Sequence, residues 1–398
     1  MSPGRTLTGL VLLSLLGAAC AGARAPGGPT PGTTTSASLG PSGTPDLGHL
    51  RFSTSGWSTD FSRATVDLAE IDSGGPPKDG IPAVDRPKPE SIASARKWLA
   101  DPSPVISVEI AGVARAYPLA ILIWHEIAND TLGGKPIVVT FCPLCNTALV
   151  FDRTSGGVVH DFGTTGNLRF SDLVMYDRQT ESWWQQATGQ AIVGQLAGQQ
   201  LTFLPTQIVS FADFVAAHPA GDVLSRDTGH ERSYGGNPYV GYDKAGSPPF
   251  LFDGVVDGRL APKERVVSVE RNGAALAFPY AELMKAGVAN ATVGGDPVVV
   301  FWTPGTASPL DSRDILGRDI GATGAFSPVV DSRTLSFERS GAPGAPIRDR
   351  ETGSSWSITG RATAGPLAGR QLEPLIHGDH FWFAWAAFVP HTAIWMAT

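Results

Sequence analysis

The sequence predicts a β-rich α+β fold made by using one module twice, as two pseudo-symmetric copies with few short helices. Residues 105 to 122, VISVEIAGVARAYPLAIL, align without a gap on 266 to 283, VVSVERNGAALAFPYAEL, and the same offset of 161 carries NDTLGGKPIVVTF (129 to 141) onto NATVGGDPVVVFW (290 to 302). Apolar residues in these blocks alternate at period two in short runs, which is the pattern of half-buried strands. The 47 glycines and 32 prolines suit many short strands closed by turns.

The elements follow in order. Met1 to Arg5 carry the early positive charge, Leu7 to Leu16 form an apolar run, and Gly17-Ala18-Ala19-Cys20 supplies small residues, so residues 1 to 20 read as a signal peptide. A run of about ten residues is too short to span a membrane, which takes roughly 20. Cys20 resembles the lipid-modified cysteine of bacterial lipoproteins, with Gly17 where that pattern usually carries Leu. Residues 21 to 48 are rich in Gly, Pro, Ser and Thr and cannot bury a core, so they read as a flexible tether. The expectation is an exported protein of the cell envelope, held on the outer face of the cytoplasmic membrane through Cys20. A net charge of −7, with lysines and arginines scattered among acids, argues against nucleic acid as a partner. Whether a protein or a small molecule is the physiological partner is open.

Residues 49 to 104 form an N-terminal segment expected to pack on the first module, with a helix near 91 to 100. The first module, 105 to 221, reads as a strand at Val105 to Ile110, a turn at Gly112, a second strand, and a helix over 119 to 127. A Gly-Gly turn, a strand at Ile137 to Phe141, a turn, a strand at Thr147 to Phe151, several short strands and a helix near 207 to 217 follow. Residues 222 to 263 make a turn-rich bridge whose Tyr234, Tyr239 and Tyr242 read first as packing residues. Residues 264 to 398 form a second, degenerate module. Within it DRETGSSWSITGRATAGPLAGRQL (349 to 372) matches DRQTESWWQQATGQAIVGQLAGQQL (177 to 201) with one residue dropped. Recurrence of the Asp-Arg pair and of one Trp assigns Asp177, Arg178 and Trp184 to structure, and leaves Glu181 and Trp183 as candidate ligand-binding residues.

With GWSTDF (56 to 61), SGGPPKDGIP (73 to 82), WHEIAND (124 to 130), TFCPLCNTALVFDR (140 to 153), FGTTGNL (162 to 168) and SDLVMYDRQTESWWQQ (171 to 186), the chain resembles the bacterial and archaeal family called domain of unknown function 3179. That family has no agreed activity, so the resemblance implies boundaries and draws attention to the CPLC turn.

Three cysteines are present, and if Cys20 carries lipid, Cys142 and Cys145 remain as a Cys-x-x-Cys pair in an oxidising compartment. The 161 offset places Thr303-Pro304-Gly305-Thr306 on Cys142-Pro143-Leu144-Cys145, keeping the proline turn without the sulfurs, and Lys285, Ala286 and Gly287 on Trp124, His125 and Glu126. The fold therefore needs neither sulfur nor imidazole at these positions. A disulfide closing so short a loop removes only about 2 kcal/mol of unfolded-state entropy, a weak staple. Dithiol redox chemistry remains open, although the strand-like flanks PIVVTF and TALVF supply no helix N-terminus to lower a thiol pKa. Two thiolates on a turn between strands also suit a soft metal, copper or zinc, with His125 and Met175 as further candidate ligands and Glu126 as a supporting or solvated acid. The leading expectation is an extracytoplasmic metal-binding or redox protein. The alternatives are an enzyme with a cysteine nucleophile and His125 as base, and a noncatalytic ligand-binding lipoprotein. His377-Gly378-Asp379-His380 has ligand types three apart where the first copy has Thr206 and Val209. No P-loop or nucleophile elbow is present, and Asn129 stands where a zincin would need its second histidine.

Overall fold

The computed structural model describes residues 49–339, 341 and 344–397. Among them the protein is β-rich with five short α-helices. The N-terminal segment supplies β1 (Ile71–Ser73), β2 (Val84–Asp85), β3 (Pro89–Ser91) and α1 (Ile92–Ala95). Then come β4 (Pro104–Ile110), β5 (Val113–Pro118), α2 (Leu119–His125), β6 (Ile127–Leu132), β7 (Lys135–Cys142) and β8 (Thr147–Asp152). A small hairpin, β9 (Thr154–Ser155) and β10 (Val158–Val159), leads to β11 (Phe162–Arg169), β12 (Asp172–Asp177), β13 (Trp183–Gln185), β14 (Gln190–Val193), β15 (Thr202–Leu204), β16 (Gln207–Ser210), α3 (Phe211–Ala217) and β17 (Asp222–Leu224).

The β4–β5 hairpin turns through Ala111 and Gly112, both at positive φ (51° and 77°), the backbone a two-residue hairpin turn requires. β5 ends on Pro118, the N-cap of α2, whose ring fixes φ near its observed −63° as the extended strand gives way to the helix. Three helices deviate from the sequence expectation in an instructive way. The helix expected from 207 begins only at Phe211, because Gln207–Ser210 pairs antiparallel with β4 and Ser210 caps the helix by accepting from Asp213 N. The helix expected over 91 to 100 is regular only across Ile92–Ala95, and α2 stops at His125 because Glu126 turns left-handed.

Three sheets build the first half, ordered β16-β4-β5-β17-β3, β15-β8-β7-β6-β2 and β1-β11-β12-β13-β14. Each contains one strand of the N-terminal segment, so that segment is woven in rather than laid on the surface. β17 lies just past residue 221 yet pairs parallel with β5, which extends the first half's sheet into the region expected to be bridge.

The second half runs β18 (Arg265–Arg271), β19 (Ala274–Pro279), α4 (Tyr280–Ala286), β20 (Val288–Val293), β21 (Asp296–Thr303), β22 (Ala322–Ser327), the hairpin β23 (Val329–Val330) and β24 (Arg333–Thr334), and β25 (Phe337–Arg339), β26 (Ile347–Asp349), β27 (Ser355–Trp356) and β28 (Ala362–Ala364). It closes with β29 (Glu373–Pro374), β30 (His377–Phe381), α5 (Trp382–Phe388) and β31 (Ala393–Ile394). Its sheets are ordered β30-β18-β19-β31, β20-β21-β22-β29 and β25-β26-β27-β28.

The expected correspondence of Thr303-Pro304-Gly305-Thr306 with the CPLC turn stops at its first residue. Cys142 and Thr303 each end a strand, but the chain then takes 143–146 to reach β8 and 304–321 to reach β22. That longer excursion clasps the bridge: Asn237 N donates to Arg313 O, Gly241 N to Asp311 O and Tyr242 N to Leu310 O. The halves also share core. Leu310, Phe381, Phe383 and Ala384 belong to the apolar cluster around Ile106, Phe141 and Phe151, while Val105, Val209 and Phe211 join that of Val299, Phe301 and Phe326. At about 25 cal/mol per Å² of apolar area buried, these shared clusters stabilise the halves against separation. No helix among the described residues is long and apolar enough to cross a membrane.

Candidate metal centre

β7 delivers Cys142 at its last position and β8 begins at Thr147, register partner of Cys142, so the intervening turn holds Cys145 beside the same strand end. Asn146 at φ 52° and its N–H to Pro143 O (3.3 Å) tighten the turn. The strand–turn–strand setting read from the sequence is the one observed. Both cysteines are free and buried, 2% and 0% exposed. Both thiols donate to one acceptor, Ser171 O, at 3.7 Å from Cys142 Sγ and 3.3 Å from Cys145 Sγ.

Ser171 lies in the turn between β11 and β12, where Phe170 (φ 52°) and Ser171 (φ 66°) are both left-handed, and this turn carries Asp172 to the sulfurs. Asp172 is fully buried. Its Oδ2 accepts from Gln185 Nε2 (2.6 Å) and Ala187 N (2.9 Å), whereas Oδ1 has no hydrogen-bond partner. Cys142 Sγ, Cys145 Sγ and an Asp172 carboxylate oxygen all lie within 4.8 Å of one another, so this group could hold a metal ion. Native interiors rarely leave a buried carboxylate oxygen unpartnered, and a bound ion is among the standard reasons for one.

Glu126 is the fourth acid of the neighbourhood. It follows α2 in the left-handed conformation (φ 58°), where α4 is capped by Gly287 (φ 74°). A residue with a Cβ costs roughly 1 kcal/mol more than glycine there. Burial and the Asp172 carboxylate push Glu126 up to about 8, and burial pushes Asp172 up to about 7. Burial raises both thiols as well. Neither carboxylate has an ion-pair partner among the described residues. Near neutral pH the centre is thus four acids holding most of their protons in a dry interior, a set that a cation can replace with charge.

The centre adjoins a cleft of about 710 Å³ whose walls include Glu126, Leu144, Leu173, Tyr239, Tyr242 and Lys263. The bridge roofs it. Lys263 Nζ donates to Tyr242 O (2.9 Å) and Ser247 Oγ (3.1 Å) and lies 3.4 Å from the centroid of the Tyr242 ring, and Ser171 Oγ donates to Phe250 O. Tyr242 is therefore held in the wall of the cleft by contacts distant in sequence, with Tyr239 beside it.

The other residues singled out from the sequence are not gathered with the sulfurs. His125 is buried, but Nδ1 bonds Pro82 O (2.7 Å) and Nε2 bonds Tyr234 Oη (2.6 Å), which occupies both ring nitrogens and leaves none for a metal or a thiol. Burial lowers its pKa to about 4. Met175 lies three residues along β12 from Asp172, and strand periodicity turns it to the opposite face, where it is paired across from Trp184 and Thr164. Of the expected ligands, Cys142 and Cys145 are the ones brought together, and the acid that joins them is Asp172. Trp183 is fully enclosed by Phe52, Trp57 and Phe61, at 5.0 to 5.2 Å between ring centroids, so it is core rather than the wall of a cleft. Glu181 holds the N-terminal segment, with Oε1 2.5 Å from Lys78 Nζ and Oε2 accepting from Ser58 N. Asp177 and Trp184 are structural as expected: Trp184 Nε1 donates to Asp177 Oδ2 at 2.9 Å, and Trp356 Nε1 to Asp349 Oδ2 at 2.9 Å. Cys20 lies outside the described residues.

Asp172 was missed by sequence reasoning although a signal was available. The register that sets DRQTE on DRETG, extended back, places Gly344 on Asp172, so the carboxylate is absent from the second half together with the sulfurs and Glu126.

No curated protein and no solved structure matches the chain. The sequence model of one family, described as "Protein of unknown function (DUF3179)", matches residues 78–392, a stretch that includes the cysteine turn, Asp172, Glu126 and nearly all of both halves. The chain belongs to the DUF3179 family.

Proposed function

We propose that the protein is an exported, envelope-anchored metal-binding protein in which Cys142, Cys145 and Asp172 hold one ion and Glu126 faces that ion from the cleft. The observation that supports this most directly is the convergence of two thiols and a buried, unpartnered carboxylate oxygen within 4.8 Å. Two sulfurs with one oxygen suit zinc, which accepts thiolate and carboxylate together, better than Cu(I), which favours sulfur and thioether donors. Three protein ligands leave a tetrahedral ion one position for water or a ligand from the cleft. Export and anchoring rest on the amino-terminal sequence and Cys20.

The same reading takes the two halves as copies of one module of which only the first kept the centre. Supporting it, the hairpin turns at Ala111-Gly112 and Asn272-Gly273 share φ values (51° and 77°, 50° and 78°), and the β16-β4-β5-β17 and β30-β18-β19-β31 orders correspond.

Dithiol redox chemistry is the second reading, favoured by two free sulfurs donating to one carbonyl. A cysteine nucleophile served by His125 is disfavoured, since that imidazole has no free nitrogen.

The test is zinc and copper uptake by the full chain under reducing conditions. One equivalent of zinc per chain, lost in Cys142→Ser/Cys145→Ser, is the expected result. No uptake by reduced wild type, with reversible disulfide exchange of the pair against glutathione, would replace the metal reading by the redox one.

A further inference from the structure

We propose a second ligand site, independent of the metal centre, in the cleft where β30 and α5 meet β8 of the first half; it binds a small uncharged molecule, largely apolar, that carries one hydrogen-bond donor and one acceptor, of which an aromatic primary amide is the simplest representative. This cleft has a volume of about 610 Å³ and takes walls from both halves, among them Leu149 and Phe203 from one and Trp385 and Phe388 from the other. Most of its surface is apolar.

Two buried polar atoms on residues of this cleft lack partners, His377 Nε2 and Trp385 Nε1. The residues are 4% and 9% exposed. His377 Nδ1 lies 2.8 Å from Leu375 O, and because a carbonyl only accepts, Nδ1 carries the proton and Nε2 of the neutral ring is an acceptor. The indole N–H of Trp385 can only donate. Both residues line the cleft, so a ligand that reaches these atoms would supply a donor to Nε2 and an acceptor to the indole N–H.

The fold does not need these groups. α3 and α5 each follow a strand directly, and aligning their first residues sets Trp385 on Phe214, which packs fully buried without an N–H, and His377 on Thr206. Gly378 lets His380 lie close, since a Cβ there would come within 2.3 Å of His380 Nε2, and His380 stacks on Trp385 at 5.2 Å and 24°. The largely apolar walls disfavour a charged ligand of either sign. They contain no lysine or arginine, and their one acid, Glu270, disfavours an anion.

The experiment uses the full chain with its tryptophans labelled at the indole nitrogen, with benzamide, benzoate and ethylbenzene as probes. Benzamide is expected to saturate in the millimolar range and to shift the Trp385 indole resonance, which Trp385→Phe identifies by its disappearance. Trp385→Phe, which keeps an aromatic ring, should weaken benzamide about tenfold and ethylbenzene by no more than about twofold, the difference expected for one hydrogen bond. Should that variant fail to fold, wild type still decides, because benzamide must bind at least about tenfold tighter than benzoate. Tighter binding of benzoate, equal losses for both neutral probes, or no saturable benzamide binding would overturn the proposal. Retention of benzamide binding by Cys142→Ser/Cys145→Ser is expected, so the two readings stand or fall separately.

Discussion

Zinc binding by the reduced protein should release protons in a number set by the burial of its ligands. Both thiols are held up by burial and are protonated below pH 8, and Asp172 titrates at about 7. Zinc takes the deprotonated forms, so release should approach about three protons per ion at pH 6 and about two at pH 8. The apparent affinity then climbs about a thousandfold per pH unit near pH 6 and about a hundredfold near pH 8. Calorimetry in buffers of different ionisation enthalpy measures the release directly. Close to one further proton at pH 7 would mark Glu126, held near 8, as entering the ligand set. The metal-free protein should show the reverse dependence. Asp172 is raised from 3.8 to about 7, so its contribution to stability is fully present below pH 4 and is lost as pH rises through 7, about 4 kcal/mol from this group. Asp172→Asn should accordingly melt above metal-free wild type at pH 8 while binding zinc far more weakly. A release of less than one proton per ion, or zinc affinity unchanged in Asp172→Asn, would refute the ligand assignment.

Three further outcomes are expected. Glu126→Gly relieves a left-handed residue and should stabilise the metal-free protein by about 1 kcal/mol, read from urea midpoints, yet weaken zinc binding. Trp183→Ala should cost about 3–5 kcal/mol through the cavity it opens among Phe52, Trp57 and Phe61, and should expose residues 49–70 to proteolysis without changing zinc stoichiometry in the folded fraction. Wild type should partition into detergent and Cys20→Ala into the aqueous phase; a wild-type chain that is aqueous from the start removes the anchor from the proposal.

What the sequence determined by itself is local. Alternation at period two marked β4, apolar β-branched and aromatic runs marked β7 and β8, paired turn residues marked the hairpins, and the CPLC turn between those two runs placed both sulfurs at one strand end, because these depend on neighbours a few residues away. The helix boundary at Phe211 was also written locally, in the Ser210–Asp213 cap, but the apolar run masked it. The third member of the centre was decided by tertiary structure. Asp172 arrives at the cysteines through the left-handed turn at Phe170-Ser171, a contact between residues 27 and 30 positions apart that no periodicity encodes. His125 shows the converse: adjacent in sequence to a residue of the site, it points its nitrogens at Pro82 and Tyr234, since the left-handed step at Glu126 separates their side chains. Chain spacing sets which residues can share a turn, whereas which side chains share a buried pocket is set by sheet pairing and by which polar atoms find partners when water is excluded.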